Sequence, residues 1–514
     1  MFVLNLLLEM LIGILLISYL IFKYFTRNND YWRNKGVFYI KPKSLFSIIS
    51  KQNEIPLSRN LSKLYTEFPN EKYVGTISST VPVLIVKDTE LIKSILIKDF
   101  SHFVDRGFIV SLPHDFLVRH LVHMEGDEWR RMRSKLSPTF TSGKMKLYFI
   151  LIEKISDQLM THLRPLAEDH ATVDVKDLIS RFTLDVISTC AFGLQVNSIE
   201  DPDNQVRTMA KLMFSDRSKD FLIGGILPMM PFLAKIFPIT LSNPKVSQFV
   251  LKLVEDTVGY RKKNNVTRGD FIDLLMKLKT LEPDKEDTYK DTQKDTDKND
   301  GELTMKEMAG QVSVFLAAGF ETAASTTSFL LYELSSNKDI QDKLRQEIDT
   351  VIQKNGGVFS YQCLQEMSYL EKCIQETLRR YASLPTLSRK CVKKYQIPGT
   401  DVVIDEGVKV LIPIREIHHD PLFYPDPYKF NPERFSPEEV ASRTGFTYLP
   451  FGEGPRICIG KRMGIMQVQT AVVNLLREFQ LTLAPGMPTV LPINPFYPLT
   501  ASTIPIQLVV SKRN

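Results

Sequence analysis

The chain has 514 residues, 43% of them hydrophobic, enough to bury a large core in one very large domain or two fused subdomains. Sixty-five Lys and Arg against 59 Asp and Glu leave a net charge of +6, too mild an excess to mark a nucleic-acid partner. Five cysteines (Cys190, Cys363, Cys373, Cys391 and Cys458) are odd in number and lack metal-finger spacing, which argues against a disulfide framework and fits a reducing compartment.

Phe2 to Phe22 is apolar apart from Asn5, Glu9 and Ser18. At about 1.5 Å per residue the run spans the roughly 30 Å of a bilayer core. No Lys or Arg precedes it, whereas Lys23, Arg27, Arg33 and Lys35 follow, so the positive-inside rule puts the body of the protein in the cytosol. A cleaved signal peptide would need a basic n-region and a small-residue cleavage site, and neither is present. Residues 1–30 are expected to form one membrane anchor with a basic flank, and 31–514 the body.

Further along, Val81 to Val86 reads as a strand, and Trp129 and Arg133 stand at i, i+4 on one face of an amphipathic helix. Asp287 to Lys298 repeats Asp-Thr-x-Lys three times with almost no apolar residue, so 283–301 is expected to be a disordered charged insert. Thr304-Met305-Lys306-Glu307 is a capping box opening a helix to about Ser336. Its centre, Ala309 to Phe320, is uncharged all round and should lie inside the protein. Glu321 and Thr322 follow, and an acid and a hydroxyl in such a helix are costly without a role or partner. A buried helical threonine ordinarily bonds back to the preceding turn, so Thr322 on its own residue type is open between that and chemistry.

Ile340, Leu344, Ile348 and Ile352 recur every four residues in a helix that Gly356-Gly357 stops. Ser368-Tyr369-Leu370-Glu371 reads as a second capping box, starting a helix that ends before Pro385. Within it Glu376 and Arg379 share a face at i, i+3 and can form a charge-assisted pair. Short strand-like runs at Val402–Ile404, Val408–Ile412 and Ile504–Val510 complete a mainly α chain with a small β portion.

One cysteine stands apart. Phe451-Gly452-Glu453-Gly454-Pro455-Arg456-Ile457-Cys458-Ile459-Gly460 presents Cys458 in a Gly-rich loop just before an apolar helix, Met463 to Leu476. Loop N–H groups and the helix start are expected to lower its pKa and hold a thiolate, suited to a soft metal centre or to nucleophilic work. A lone cysteine is otherwise most often a small apolar core residue. The flanking Phe451, Gly452, Gly454, Arg456 and Gly460 distinguish this one.

Phe-x-x-Gly-x-x-x-Cys-x-Gly resembles the haem-binding loop of the cytochrome P450 superfamily, microsomal type. The likeness extends over nearly the whole chain from about Tyr31. Phe103 to Gly107, Leu136 to Lys146 and Ala318 to Thr322 look like the insect family-6 and family-9 group, which includes many detoxification enzymes. The resemblance implies the cytochrome P450 fold, mainly α with a small β subdomain, behind one N-terminal transmembrane helix. It implies haem b with Cys458 as axial metal ligand, a ligation that pushes electron density onto iron and favours O–O cleavage. Trp129, Arg133, Arg389 and Arg456 match the family's contacts to the haem propionates, and Phe451, Gly454 and Gly460 its cofactor loop. Glu376, Arg379 and Arg434, the last within Pro432-Glu433-Arg434-Phe435, match a structural Glu-Arg-Arg triad.

On the oxygen side the resemblance gives Gly319 a groove for O₂, Thr322 a hydrogen bond to give, and Glu321 a proton relay through water. Ala323 departs from the hydroxyl residue common there. A pocket drawing on Phe103 to His120, Phe221 to Ile239, Phe315, Phe320, Leu384, Leu387 and Phe496 to Thr500 would be apolar and favour lipophilic substrates. Two more departures are a linker, Asn34 to Ser44, with Pro42 as its only proline, and the Pro- and aromatic-rich Pro492 to Pro498. Arg130, Arg131, Lys135, Lys144, Lys461 and Arg462 would surround the thiolate face.

The implied function is a membrane-bound haem-thiolate monooxygenase on the cytosolic face of the endoplasmic reticulum. Its electrons would come from NADPH through a flavoprotein reductase, with cytochrome b5 as a further donor. Its lipophilic substrate would belong to xenobiotic or insecticide detoxification or to hormone or lipid metabolism. Two rivals are an oxygen-independent haem-thiolate isomerase or dehydratase, against which the intact Glu321-Thr322 argues, and a non-catalytic haem or lipophile carrier, for which a proton relay would be superfluous.

Overall fold

The computed structural model describes residues 2–40, 57–78, 80–108, 112–215, 227, 230, 232–278, 303–495, 497 and 499–513. Pro42, 221–226, the 283–301 insert, Phe496 and Pro498 lie outside the described residues. Phe2–Thr26 forms one helix, and its Asn5–Thr26 stretch, of mean hydropathy 2.2, is long and apolar enough to cross a membrane. None of that stretch is buried against the rest of the chain. The body begins directly behind it. Trp32, fully buried, lays its ring where a side chain at Gly75 would be and donates from Nε1 to Thr76 O at 2.8 Å.

The β portion is small and split. β1 (Tyr73–Ser78) and β2 (Val81–Val86) pair antiparallel. β2 runs parallel to β7 (Lys409–Ile412), and β7 antiparallel to β4 (Leu387–Lys390). β3 (Thr172–Asp174), β9 (Gln507–Lys512) and β8 (Phe479–Leu483) form a second sheet in that order, and β5 (Tyr395–Gln396) with β6 (Val403–Ile404) a third. The runs expected at 81–86, 402–404 and 408–412 are β2, β6 and β7. The C-terminal strand begins at Gln507 rather than Ile504, because Ile504 to Ile506 turn into the sheet and Ile506 O accepts from Val175 N instead.

The central helix, Met305–Ser336, has the expected capping box. Glu307 N donates to Thr304 Oγ1 at 3.2 Å and Thr304 N to Glu307 Oε2 at 2.8 Å. It is buried for most of its length, as its uncharged centre requires. The crossing helix, Val175–Ile187, packs on it closely, since Ile187 fills the space a Cβ at Gly319 would take, with contacts of 2.6 Å. Thr183 Oγ1 adds an interhelical bond to Phe320 O at 3.0 Å.

Lys338–Lys354 follows and closes as its glycines foretell. Gly356 and Gly357 take φ of +77° and +78°, and Gly357 N bonds back to Ile352 O at 2.9 Å. The helix Ser368–Arg380, which follows the short helix Tyr361–Glu366, corrects the sequence reading. Ser368 is already helical and forms no capping box with Glu371. Glu347, from the Lys338–Lys354 helix, caps it instead, accepting from Tyr369 N at 2.6 Å and Leu370 N at 2.9 Å. A carboxylate on the orphan amides satisfies them and the helix dipole together. Glu347→Ala is therefore expected to cost about 1–2 kcal/mol, read as a lower denaturation midpoint of the full chain. An unchanged midpoint would mean the helix needs no tertiary cap.

Candidate functional site

Two sets of buried groups frame Cys458. The first begins in the Ser368–Arg380 helix, where Arg379 grips Glu376 bidentately: Nε to Oε2 at 2.7 Å and Nη2 to Oε1 at 2.8 Å, with neither side chain exposed. Arg434 adds an ion pair to Glu376 Oε1 at 3.5 Å and donates to Asp426 O, so the three triad residues do come together. Arg379 also donates to His418 O and Pro427 O, both at 2.7 Å. Fully buried His418 carries the connection onward. Its Nδ1 faces Arg379 O at 3.1 Å, and its Nε2 accepts from Leu449 N at 2.9 Å, two residues before Phe451.

From Leu449 the chain enters the cysteine loop. Gly452 and Gly454 take φ of +68° and +74°. A Cβ at Gly454 would stand 2.0 Å from Leu96 O, so both space and backbone conformation demand glycine there. Cys458 N bonds to Phe451 O at 3.0 Å, and Gly460 caps the helix Lys461–Glu478. Cys458 is the exposed member of the five free cysteines; the other four are buried. Its surroundings are crowded all the same, and here the expectation of a lowered pKa is corrected. Burial pushes the thiol up, outweighing the Gly460 amide and the charges of Arg133, Arg106 and Lys461 that favour the thiolate.

The second set is a group of guanidinium groups. Arg389 is 2% exposed, its Nη1 reaches only its neighbour's carbonyl, Ser388 O, and its Nε has no partner among the described residues. Burial, then repulsion from Arg106, pushes it down to about 9. Arg456 is pushed down to about 8 by burial and by Arg106 and Arg389. Arg106 falls to about 10 by burial and Arg133, offset by Cys458. Arginine stays charged in practice, so these directions register positive charge lacking an anion. Asp105, 3.9 Å from Arg456, is the one carboxylate in ion-pair range of this group among the described residues.

A haem would bring two carboxylates and an iron to such a place, and the residues fit it: a thiol, an orphaned guanidinium nitrogen and a glycine cradle. Arg456 itself has spent its donors on the backbone, Nε on Val104 O at 2.9 Å and Nη2 on Met124 O at 2.8 Å, while lying 3.9 Å over the Trp129 ring. It pins the cysteine loop to the 104–124 segment. Trp129 is buried between Arg456 and Phe100, and Arg133, one turn on, is half-buried beside the thiol. Arg106, whose Nη2 donates to Arg456 O at 3.0 Å, is a member of this group that the residue-by-residue reading left unassigned. Its signal was present in Asp105-Arg106, a charge pair in an otherwise apolar stretch.

On the central helix Ala318 is exposed and Gly319 and Thr322 are half-buried, within a segment otherwise packed. Thr322 Oγ1 donates to Ala318 O at 2.8 Å, the back-bond its residue type foretold, shared by Thr326, Thr327 and Ser328 farther along. Glu321, 9% exposed, pairs with Lys176 Nζ at 2.9 Å. Gly319 shows close helix packing against Ile187. Two residues expected in the pocket are elsewhere. Phe315 stacks on Phe271 at 4.1 Å and Phe140 at 5.9 Å, and Phe103 lies edge-on to Tyr395 at 5.0 Å under the sheet. Phe214, not foreseen, meets Phe320 at 5.8 Å and Tyr497 at 6.4 Å.

A helical body with a small β portion, one loop thiol and buried guanidinium groups together suit a haem-thiolate protein. The family model described as Cytochrome P450 matches residues 42–509. The chain is 38% identical to Cytochrome P450 6a8 of Drosophila melanogaster over 479 residues, 92% of each chain. It is 39% identical to Probable cytochrome P450 6a13 of the same fly over 458 residues, 88% of each. It is 36% identical to Cytochrome P450 6k1 of Blattella germanica over 499 residues, 95% of this chain and 94% of that one. The chain belongs to the cytochrome P450 family and is a monooxygenase, an oxidoreductase whose cofactor is haem.

The His418 bridge has a pH signature. Burial, then the charges of His419 and Arg379, pushes His418 down to about 3 from its usual 6.5. The unfolded chain takes up this proton near 6.5 and the folded chain does not, so stability is complete above that pH and declines as pH falls toward 3. One such proton contributes up to about 1.4 kcal/mol per pH unit. His418→Gln is expected to flatten the fall of the denaturation midpoint between pH 6.5 and 4 by one proton's worth. An unaltered slope would assign it to other groups.

Proposed function

We propose that the chain is a single-pass protein of the endoplasmic reticulum, anchored through Asn5–Thr26 with its catalytic domain on the cytosolic face. It takes two electrons from NADPH through a flavoprotein reductase, with cytochrome b5 as a further donor, and inserts one atom of O₂ into a lipophilic substrate. The observation that carries this reading is the accessible Cys458 thiol beside Arg133 and Arg106, with Arg389 buried and its Nε without a partner among the described residues. Haem b, when bound, supplies an iron at which dioxygen is activated, and a cysteine ligand makes it electron-rich.

The chain's own residues divide the remaining work. Cys458 is the metal ligand, with Gly454 and Gly460 shaping its loop and Phe451 O accepting from its amide. Arg389, Arg133 and Arg106 hold the propionates, while Trp129 and Arg456 frame them; a planar guanidinium suits a carboxylate because it binds bidentately and keeps its charge. Glu376, Arg379 and Arg434 are structural. On the oxygen side Thr322, its own proton engaged by Ala318 O, accepts a hydrogen bond from water at rest and donates only after its hydroxyl turns. Glu321 relays protons to that water. Phe214, Phe320 and Tyr497 give the substrate an apolar wall.

The face next to the cysteine loop suits an acidic electron donor. Lys461 and Arg462 open the helix after Gly460, and Arg130 and Arg131 lie exposed on the Trp129 helix. Charges of one sign there speed the encounter at low salt. Of the group named from sequence, Lys144 bonds to Gly269 O, Arg130 pairs with Asp127 at 3.1 Å and Arg462 donates to Ser142 Oγ at 3.2 Å.

Two experiments test the reading. The reduced, haem-loaded protein with carbon monoxide is expected to show the red-shifted band of thiolate ligation, and Cys458→Ser to lose it; a band that survives would make another side chain the ligand. Thr322→Ala is expected to keep haem and the carbon monoxide band while sending most NADPH electrons to hydrogen peroxide. Coupling equal to that of the wild type would remove Thr322 from the chemistry.

A further inference from the structure

The body takes hold of the chain ahead of the Asn34 to Ser44 linker. The anchor helix ends at Thr26, and just beyond it Arg27 lies over the Tyr24 ring at 4.0 Å. Residues 27–30 are all in turns. Asn29 N bonds back to Thr26 O at 3.0 Å and Tyr31 N to Asn28 O at 3.1 Å, which leads directly into the short helix Tyr31–Asn34.

This segment is fastened to the body at several places. Asn28 Nδ2 donates to Thr80 O at 2.7 Å and Arg27 Nη2 to Thr80 Oγ1 at 3.4 Å, at the turn joining β1 to β2. Trp32, wholly buried over Gly75 and bonded to Thr76 O, fixes the middle. Beside β6, Tyr31 Oη donates to Asp405 Oδ2 at 2.8 Å, and Lys35 Nζ reaches the same oxygen at 2.7 Å and Val403 O at 2.8 Å. Gly75 on β1 then pairs with the chain at Phe38 O and Ile40 N. One attachment would let the body swing about it. Attachments on two sheets around a buried indole remove that freedom.

Asn5–Thr26 has 22 residues and measures about 33 Å as a helix, against about 30 Å of hydrocarbon core. Its end at Thr26 therefore reaches the headgroups. Asn28, which holds Thr80, stands at most about 7 Å of chain farther on, and the headgroup layer is itself about 5–8 Å deep. Lys23, Arg27 and Arg33 flank the exit, and cations there are drawn to the cytoplasmic lipid surface.

We propose that residues 27–35 are a rigid collar that gives the catalytic body one orientation on the membrane, with the β1–β2 turn seated on the phospholipid headgroups. This rests on the membrane anchoring proposed above and adds to it a contact surface and a fixed angle. The collar passes the direction of the anchor helix to the body, so the haem plane takes a set tilt to the bilayer. The cysteine-loop face then keeps one height and angle above the lipid.

The test uses the full-length, haem-loaded chain in oriented phosphatidylcholine bilayers, as wild type and with a flexible Gly-Ser linker inserted between Thr26 and Arg27. The insertion leaves every collar residue in place, and equal haem content and an equal carbon monoxide band check that the body is intact. Polarised haem absorption is expected to show a defined tilt in the wild type and to lose its dichroism after insertion. A fluorophore on Ser78→Cys, an exposed position beside the turn, is expected to be quenched by headgroup-labelled phosphatidylcholine and to lose most of that quenching after insertion. Asn28→Ala combined with Lys35→Met is expected to weaken both signals without any insertion. Absence of either signal in the wild type, or survival of either after insertion, overturns the collar while the anchor stands, provided the chain stays with the bilayer through an alkaline carbonate wash. Release of the wild-type chain by that wash sinks the anchoring and the collar together.

Discussion

The Glu376–Arg379 pair is the constraint on which the thiol's position depends. Both side chains are wholly buried, so each ion gives up water at a cost of several kcal/mol, and attraction alone only roughly offsets that. The balance is met because every direction is used. Glu376 also accepts from Asn431 N, and Arg379 holds the carbonyls of His418 and Pro427. Removing one partner from such a pair typically costs about 3–5 kcal/mol, since the other charge is left stranded. The pair thereby fixes a helix, the 418–431 segment and, through His418, the backbone at Leu449. Tyr448, stacked on His418 and bonded to Gln375 O, runs alongside as a second tie. The cysteine loop hangs from these two attachments and from Arg456.

Next to that lock the protein keeps buried positive charge beside a thiol whose surroundings oppose its ionisation. The guanidinium groups of Arg106, Arg389 and Arg456 repel one another away from water, and the Cys458 thiol resists ionising. A bound metal would deprotonate the thiol, and the carboxylates of its macrocycle would answer the guanidinium groups, so cofactor binding would add to the stability of this region. Arg456 separates the two roles by geometry, giving its hydrogen bonds to the Val104–Met124 backbone and only its field to the site.

Much of this was legible in the sequence where one residue type has one physical solution. Cys458 with its glycines, the Thr304–Glu307 capping box, the Gly356-Gly357 stop and the Glu376–Arg379 spacing each read through to the structure because the determinant is local. What was missed is set by contacts distant in the chain. Glu347 replaces the expected capping box from 21 positions earlier in the chain, as the bond from Ser368 Oγ to Glu347 shows. β1, β3, β4, β5 and β8 are short strands whose pairing partners, not their composition, make them strands. Phe315 has the apolar character of a pocket wall but stacks into the core, since helical position alone does not say which neighbour a ring will meet. The thiol's pKa was misjudged for a related reason: the loop amides were visible in sequence, the atoms crowded around the thiol were not.

The oxygen side shows how one helix holds both structure and reactivity. Thr322, Thr326, Thr327 and Ser328 all bond back one turn, so the back-bond cannot be what distinguishes Thr322. Exposure distinguishes it: Thr326, Thr327 and Ser328 are buried, whereas Thr322 shares a partly accessible face with Ala318, one turn before it. Losing its bond to Ala318 O costs about 0.5–1.5 kcal/mol, and a hydroxyl on an accessible face can be satisfied by water. For the three buried hydroxyls the same rotation would leave the hydroxyl itself unpaired in the core, at about 1–3 kcal/mol. A hydroxyl that turns cheaply next to a carboxylate held from behind by a lysine would serve as a switchable donor in this helix. Packing around Gly319 and Thr183 fixes the backbone from which Thr322 projects.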